Sequence, residues 1–216
     1  MAFMGVFGAI GLGRFGYSAI LPAMQEDLGI STAAAGSLAS WNLGGYVISA
    51  AVGGILASRF GPRLVVGIGS LIAAAGMLLT GLSDGMVAAS AGRLLTGLGA
   101  GTVLVPSVAL MSAWFDIRRR GMASGIVSSG ASLALVIAGP VVPRIIAAGG
   151  EQGWRSAWYF FAALTLAMGV ITFAVQRDRP YRAAHALTIQ GDIWRAEPAR
   201  GVSAARADAA VAATLD

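Results

Sequence analysis

The sequence predicts an all-α membrane protein of six transmembrane helices. Three observations carry that prediction. Hydrophobic residues make up 56% of the 216-residue chain and charged residues only 12%, where a soluble domain carries about 25% charge. So few charges cannot cover a surface that faces water, whereas lipid accepts an apolar exterior. Charge-free stretches recur at the length of roughly 20 residues that a helix needs to cross a hydrocarbon core of about 30 Å. Finally, the chain holds 31 glycines, and in apolar helices small residues let backbones approach closely.

The helices follow in order. The first runs over 3–22, carries Arg14 near its middle and is expected to end at Pro22. The second covers 34–58, inside the charge-free run from Leu28 to Ser58. The third covers 64–83 and the fourth 86–114, with Pro106 inside it. The fifth covers 121–145, with Pro140 and Pro143 inside, and the sixth covers 155–176. Each internal Pro removes one backbone hydrogen bond and favours a kink. Beyond Gln176 the apolar period stops. Residues 1–176 are therefore expected to form the six-helix bundle, and the Ala- and Arg-rich stretch 177–216 a disordered cytoplasmic tail.

Charge sets the orientation. All 15 basic residues are Arg. One set of loops holds Arg59 and Arg63, then Arg118, Arg119 and Arg120, then Arg177, Arg179 and Arg182. The opposite set holds Glu26 and Asp27, then Asp84, then Glu151, with Arg144 and Arg155 near span ends. Basic loops face the cytoplasm, which puts both termini there.

Several function classes fall away. The chain has no Cys, and its one His, His185, lies in the tail. Thiolate chemistry and Cys-based metal sites are excluded, and no metal or cofactor is expected. An intramembrane serine hydrolase would need a His or Lys base at depth, and neither is there, so an enzyme is not expected. The net charge of +5 sits in short loops between apolar spans, which argues against nucleic-acid binding. Gly11-Leu-Gly13-Arg-Phe-Gly16 matches the dinucleotide fingerprint G-x-G-x-x-G, but that motif needs a preceding strand. Inside a membrane span its glycines instead thin the helix beside Arg14. The pairs Gly97/Gly101 and Gly121/Gly125 are expected to serve packing.

Two cations lie deep within spans, Arg14 and Arg93, while Arg144 and Arg155 lie near span ends, and no Asp or Glu lies inside any span. Burying Arg at the bilayer centre costs about 2.5–3.5 kcal/mol on insertion scales, so such residues face an internal cavity with a partner. An anionic solute, a second protein half, backbone carbonyls or water are all open as that partner, and Arg93 has the further option of snorkelling to the headgroups. Tyr17 and Asn42 add polar lining in the first two spans, beside Trp41 and Tyr46. Ser124, Ser128, Ser129 and Ser132 give the fifth span a polar character.

The stretch Gly54-Ile-Leu56-Ala-Ser58-Arg59-Phe-Gly61-Pro62-Arg63 resembles the loop between helices two and three of the major facilitator superfamily, with Ser58 in place of the usual Asp. Arg93-Leu-Leu-Thr-Gly97-Leu-Gly99-Ala-Gly101 is similar to that family's fourth-helix motif, and Gly153-Trp154-Arg155 to the start of its sixth helix. Gly11 to Tyr17 with Leu21-Pro22-Ala-Met24 resembles a bacterial subgroup of the family. The resemblance covers about residues 5–176 and implies the N-terminal six-helix half of a secondary transporter, which moves a small solute by alternating access. It implies a substrate cavity at Arg14, Tyr17, Asn42 and Arg93, and a gating loop at Gly54, Arg59, Gly61 and Arg63. Loss of the loop's Asp puts its latch in question. The unpaired cations favour an anionic or zwitterionic solute. A homodimer or a second transporter half is expected to complete the machine in the bilayer. A truncated, non-transporting fragment or membrane assembly subunit is the other reading.

Overall fold

A computed structural model describes residues 1–115 and 118–176; the expected tail lies outside them. Six helical rods account for almost all described residues: α1 (Ala2–Leu28), α2 (Thr32–Phe60), α3 (Pro62–Gly81), α4 (Met86–Trp114), α5 (Arg120–Gly149) and α6 (Gly153–Val175). Five continuous apolar stretches are long enough to cross a membrane, and the last, Arg120–Val175, has 56 residues. As one straight helix it would be about 84 Å long. It is instead broken by a 3₁₀ turn at Gly150–Gln152, with Gly150 at φ 60°. There Gly153 packs on the backbone of Ile146, so α5 and α6 are two spans.

Local chemistry explains the helix ends. Pro22 does not stop α1, contrary to expectation; the helix passes through it to Leu28 and ends at Gly29, whose φ of 59° closes the left-handed cap. A proline in a membrane helix costs one backbone bond but leaves the helix continuous. Ser31 caps α2, its hydroxyl accepting from the Ala34 amide at 3.2 Å. Gly61 (φ 84°) turns the chain between α2 and α3, and Pro62 opens α3, where its missing N–H costs nothing.

The first rod is not regular. Phe7–Phe15 is wound as a π-helix, and the Gly16 amide donates to the Gly11 carbonyl, five residues back, at 3.0 Å. Such segments are rare and gather at functional sites. This one carries Arg14.

The interior is built on close approach. Gly11 faces Ala131 and Ala134 of α5, Gly13 faces Met77 of α3 and Thr96 of α4, and Gly16 faces Phe161 of α6. The apparent nucleotide fingerprint is thus the surface by which α1 meets four neighbours. Gly97 and Gly101 bring α4 against the α2 backbone at Asn42 and Tyr46. Gly121 and Gly125 do not pack as expected: a Cβ on either would meet open space, because that face of α5 is exposed. Trp154, Trp158 and Phe161 of α6 are fully buried.

At the acidic end of the bundle one cluster ties three segments. The Trp154 indole donates to Asp27 at 2.8 Å. Arg155 donates to the carbonyls of Ser83 at 2.8 Å and Gly81 at 3.1 Å, and pairs with Asp84 at 2.9 Å. At the basic end Arg63 donates to the Phe173 carbonyl at 2.6 Å, joining the start of α3 to the end of α6.

Candidate functional site

Arg93 lies seven residues into α4 and is 1% exposed. It does not snorkel. Its Nη1 donates to the Gly13 carbonyl at 2.6 Å, and its guanidinium stands 4.4 Å from the Tyr17 ring centroid and 5.4 Å from that of Trp158. Rings offer negative π faces, so this cation is compensated by two aromatics and a backbone dipole. Among the described residues no carboxylate pairs with it. Two donors in this cluster, Arg93 Nε and Trp158 Nε1, are buried without a hydrogen-bond partner among the described residues.

The flanking groups tie helices together. The Tyr17 hydroxyl donates to the Ala35 carbonyl at 2.9 Å, joining α1 to the first turn of α2. The Asn42 amide, 1% exposed, donates to the Arg93 carbonyl at 3.0 Å, joining α2 to α4. Ser49 of the same helix reaches the Gly97 carbonyl at 3.4 Å. Asn42, Tyr17 and Arg93 therefore form one connected wall across α1, α2 and α4.

Arg14 differs. It is half-buried, and its guanidinium lies 5.1 Å from the Tyr46 ring centroid and 5.9 Å from that of Phe15. Among the described residues it enters no salt bridge. It sits on the face of α1 that continues through the exposed Phe15, Ser18 and Pro22. Ser128, Ser129 and Ser132 of α5 and Ser40 and Trp41 of α2 are also exposed. Arg14 and Tyr46 thus stand in front of the wall, and Arg93 stands within it.

The loop residues do not join this group. Gly54 comes near Val105 of α4, Gly61 makes the turn, Arg59 is exposed and Arg63 is pinned at Phe173. The Ser58 hydroxyl donates to the Ile55 carbonyl of its own helix at 2.8 Å.

Sequence reasoning missed Trp158. Its signal was present: Trp154, Trp158 and Phe161 recur at the four- and three-residue spacing of one helix face.

The sequence pattern of the Major Facilitator Superfamily matches residues 3–212. The chain belongs to that superfamily. Similar members include a probable sulfoacetate transporter, SauU, from Cupriavidus necator, 30% identical over 167 residues, covering 77% of this chain and 38% of the relative. Another is a probable chloroplastic anion transporter of Oryza sativa, 31% identical over 165 residues, covering 76% and 27%. Among solved structures, a bacterial homologue of the lysosomal transporter Spinster superposes with a TM-score of 0.68 at 15% identity, over 83% of this chain and 44% of that one. The last comparison speaks for the fold alone. The chain spans less than half the length of each of these three proteins.

Proposed function

We propose that the chain is the N-terminal six-helix half of a secondary transporter that moves a small organic anion by alternating access. The observation that carries this reading is Arg14, a half-buried cation inside a membrane span, with no acidic partner among the described residues and a second cation behind it. A desolvated guanidinium with no carboxylate favours a carboxylate or sulfonate from the solute. The names of the two relatives support the charge: one is described as a sulfoacetate transporter and the other as an anion transporter.

The roles divide by exposure. Arg14, with Tyr46 beside it, meets the solute. Tyr17, Asn42 and Arg93 hold the wall that sets the position of Arg14, and the unmet donors of Arg93 and Trp158 wait behind it for an acceptor. The loop at Gly54, Arg59, Gly61 and Arg63 works as a gate at the cytoplasmic face, with both termini on that side of a bacterial inner membrane. An opposing half, from a second copy or a further segment, provides the surface against which this half rocks. The chain performs no chemistry on the solute and holds no cofactor.

The test is uptake of labelled sulfoacetate into proteoliposomes, together with the detergent-corrected mass of the purified protein. Saturable uptake by a defined dimer supports the reading. A monomer that neither takes up nor binds any organic anion sinks it and favours an assembly subunit.

A further inference from the structure

The outer face of α3 and α6 carries a groove of about 260 Å³, lined almost wholly by apolar atoms. Leu64, Gly67 and Leu71 form one side, and Leu166, Val170 and Phe173 the other. Each side spans eight residues of helix, about 10 Å of axis, starting at the end of the bundle that bears the Arg-rich loops. That is roughly a third of the hydrocarbon thickness, so the groove lies within one leaflet. It is too short and narrow for a helix, whose diameter is about 10 Å.

Its mouth is cationic. Arg63 donates to the Phe173 carbonyl at 2.6 Å, and its guanidinium lies 4.8 Å from the Phe173 ring centroid. The charge is therefore held at the groove's end, and Arg59 is exposed in the adjoining turn. An apolar slot within one leaflet, closed by a positioned guanidinium, matches part of an acyl chain continuing into an anionic headgroup, whose phosphate oxygens suit Arg.

We propose that this groove is a binding site for an anionic phospholipid, with one acyl chain between α3 and α6 and the headgroup at Arg63. The site is separate from the Arg14 wall and does not depend on what the protein transports.

The experiment is intact-protein mass spectrometry of the full chain, delipidated in mild detergent and re-supplied with phosphatidylglycerol or with phosphatidylcholine of identical acyl chains. The wild type should retain about tenfold more phosphatidylglycerol, the ratio expected where a charge-assisted contact is worth about 1.4 kcal/mol. Val170→Trp, at a side chain 59% exposed, should fill the slot and lower retention of both lipids. Arg63→Gln should abolish the headgroup preference while chain retention persists. Val136→Trp, on exposed α5, should change neither. Equal retention of the two lipids by the wild type, which requires no variant, would overturn the proposal. So would equal losses from Val170→Trp and Val136→Trp, or disulfide crosslinking of two copies through Val170→Cys in this cysteine-free chain, which would place protein rather than lipid in the groove.

Discussion

The Arg93 guanidinium of α4 donates to the Gly13 carbonyl of α1 at 2.6 Å, and that carbonyl belongs to the π-wound segment that also carries Arg14. One buried cation thus fixes the backbone that presents the other. Under the proposed function this contact would couple packing to solute binding, and displacing Arg93 is expected to shift Arg14 without touching it.

Replacement of Arg93 separates its charge from its volume. Arg93→Met keeps the volume and removes a charge that no carboxylate among the described residues neutralises. Exchanging buried charge for an apolar side chain is often neutral or stabilising, so thermal unfolding in detergent should shift by no more than a few degrees. Arg93→Ala leaves a cavity and should cost about 2–4 kcal/mol, seen as a clear drop in midpoint. Both should weaken anion binding, because the π segment loses its anchor.

Asn42 tests the wall from the other side. Asn42→Ala leaves the Arg93 carbonyl without the amide and opens a small void, at a cost of about 1–3 kcal/mol. Asn42→Asp would place a carboxylate against a carbonyl oxygen and should destabilise more at neutral pH than at low pH. Unfolding followed by circular dichroism at both pH values reads the difference.

The glycines divide by what they face. Gly97→Ala would drive a methyl into the Asn42 backbone, separating α2 from α4 at a cost of about 1–3 kcal/mol. Gly121→Ala meets open space and should be neutral or gain up to about 1 kcal/mol from helix propensity. Gly61→Ala should cost about 1–3 kcal/mol through its left-handed φ alone. Comparing the three midpoints under one set of conditions checks all of them.

At the acidic end, Asp84→Asn should change little, within about 1 kcal/mol, since its side chain is 91% exposed and surface ion pairs contribute weakly. Arg155→Ala should cost more, because it removes donors from the carbonyls of Gly81 and Ser83 and the guanidinium 4.6 Å from the Trp154 ring. Unfolding midpoints of the two variants should differ in that order.

The spans were legible because charge is so sparse that Arg59, Asp84, Arg118 and Glu151 mark the turns. Their exact ends were less so. Pro22 looked like a stop, yet a proline late in a long apolar helix is tolerated, and the left-handed Gly29 ended α1 instead. The cations at Arg14 and Arg93 stood out by composition alone, but their different burial did not, because it depends on which neighbours Gly11, Gly13 and Gly16 admit. The π winding of Phe7–Phe15 has no sequence signature. Gly121 and Gly125 shared the spacing of Gly97 and Gly101, and only the fold shows that one pair packs while the other is exposed.

The most direct test of the anion account is equilibrium binding of labelled sulfoacetate to the reconstituted protein, with glycolamide as a smaller, uncharged competitor, in the wild type and in Arg14→Gln. A charge-assisted contact of about 1.5–3 kcal/mol predicts saturable binding that glycolamide does not compete, weakened about 10- to 100-fold by Arg14→Gln. Competition by glycolamide at equal strength, or unchanged affinity in Arg14→Gln, would contradict it.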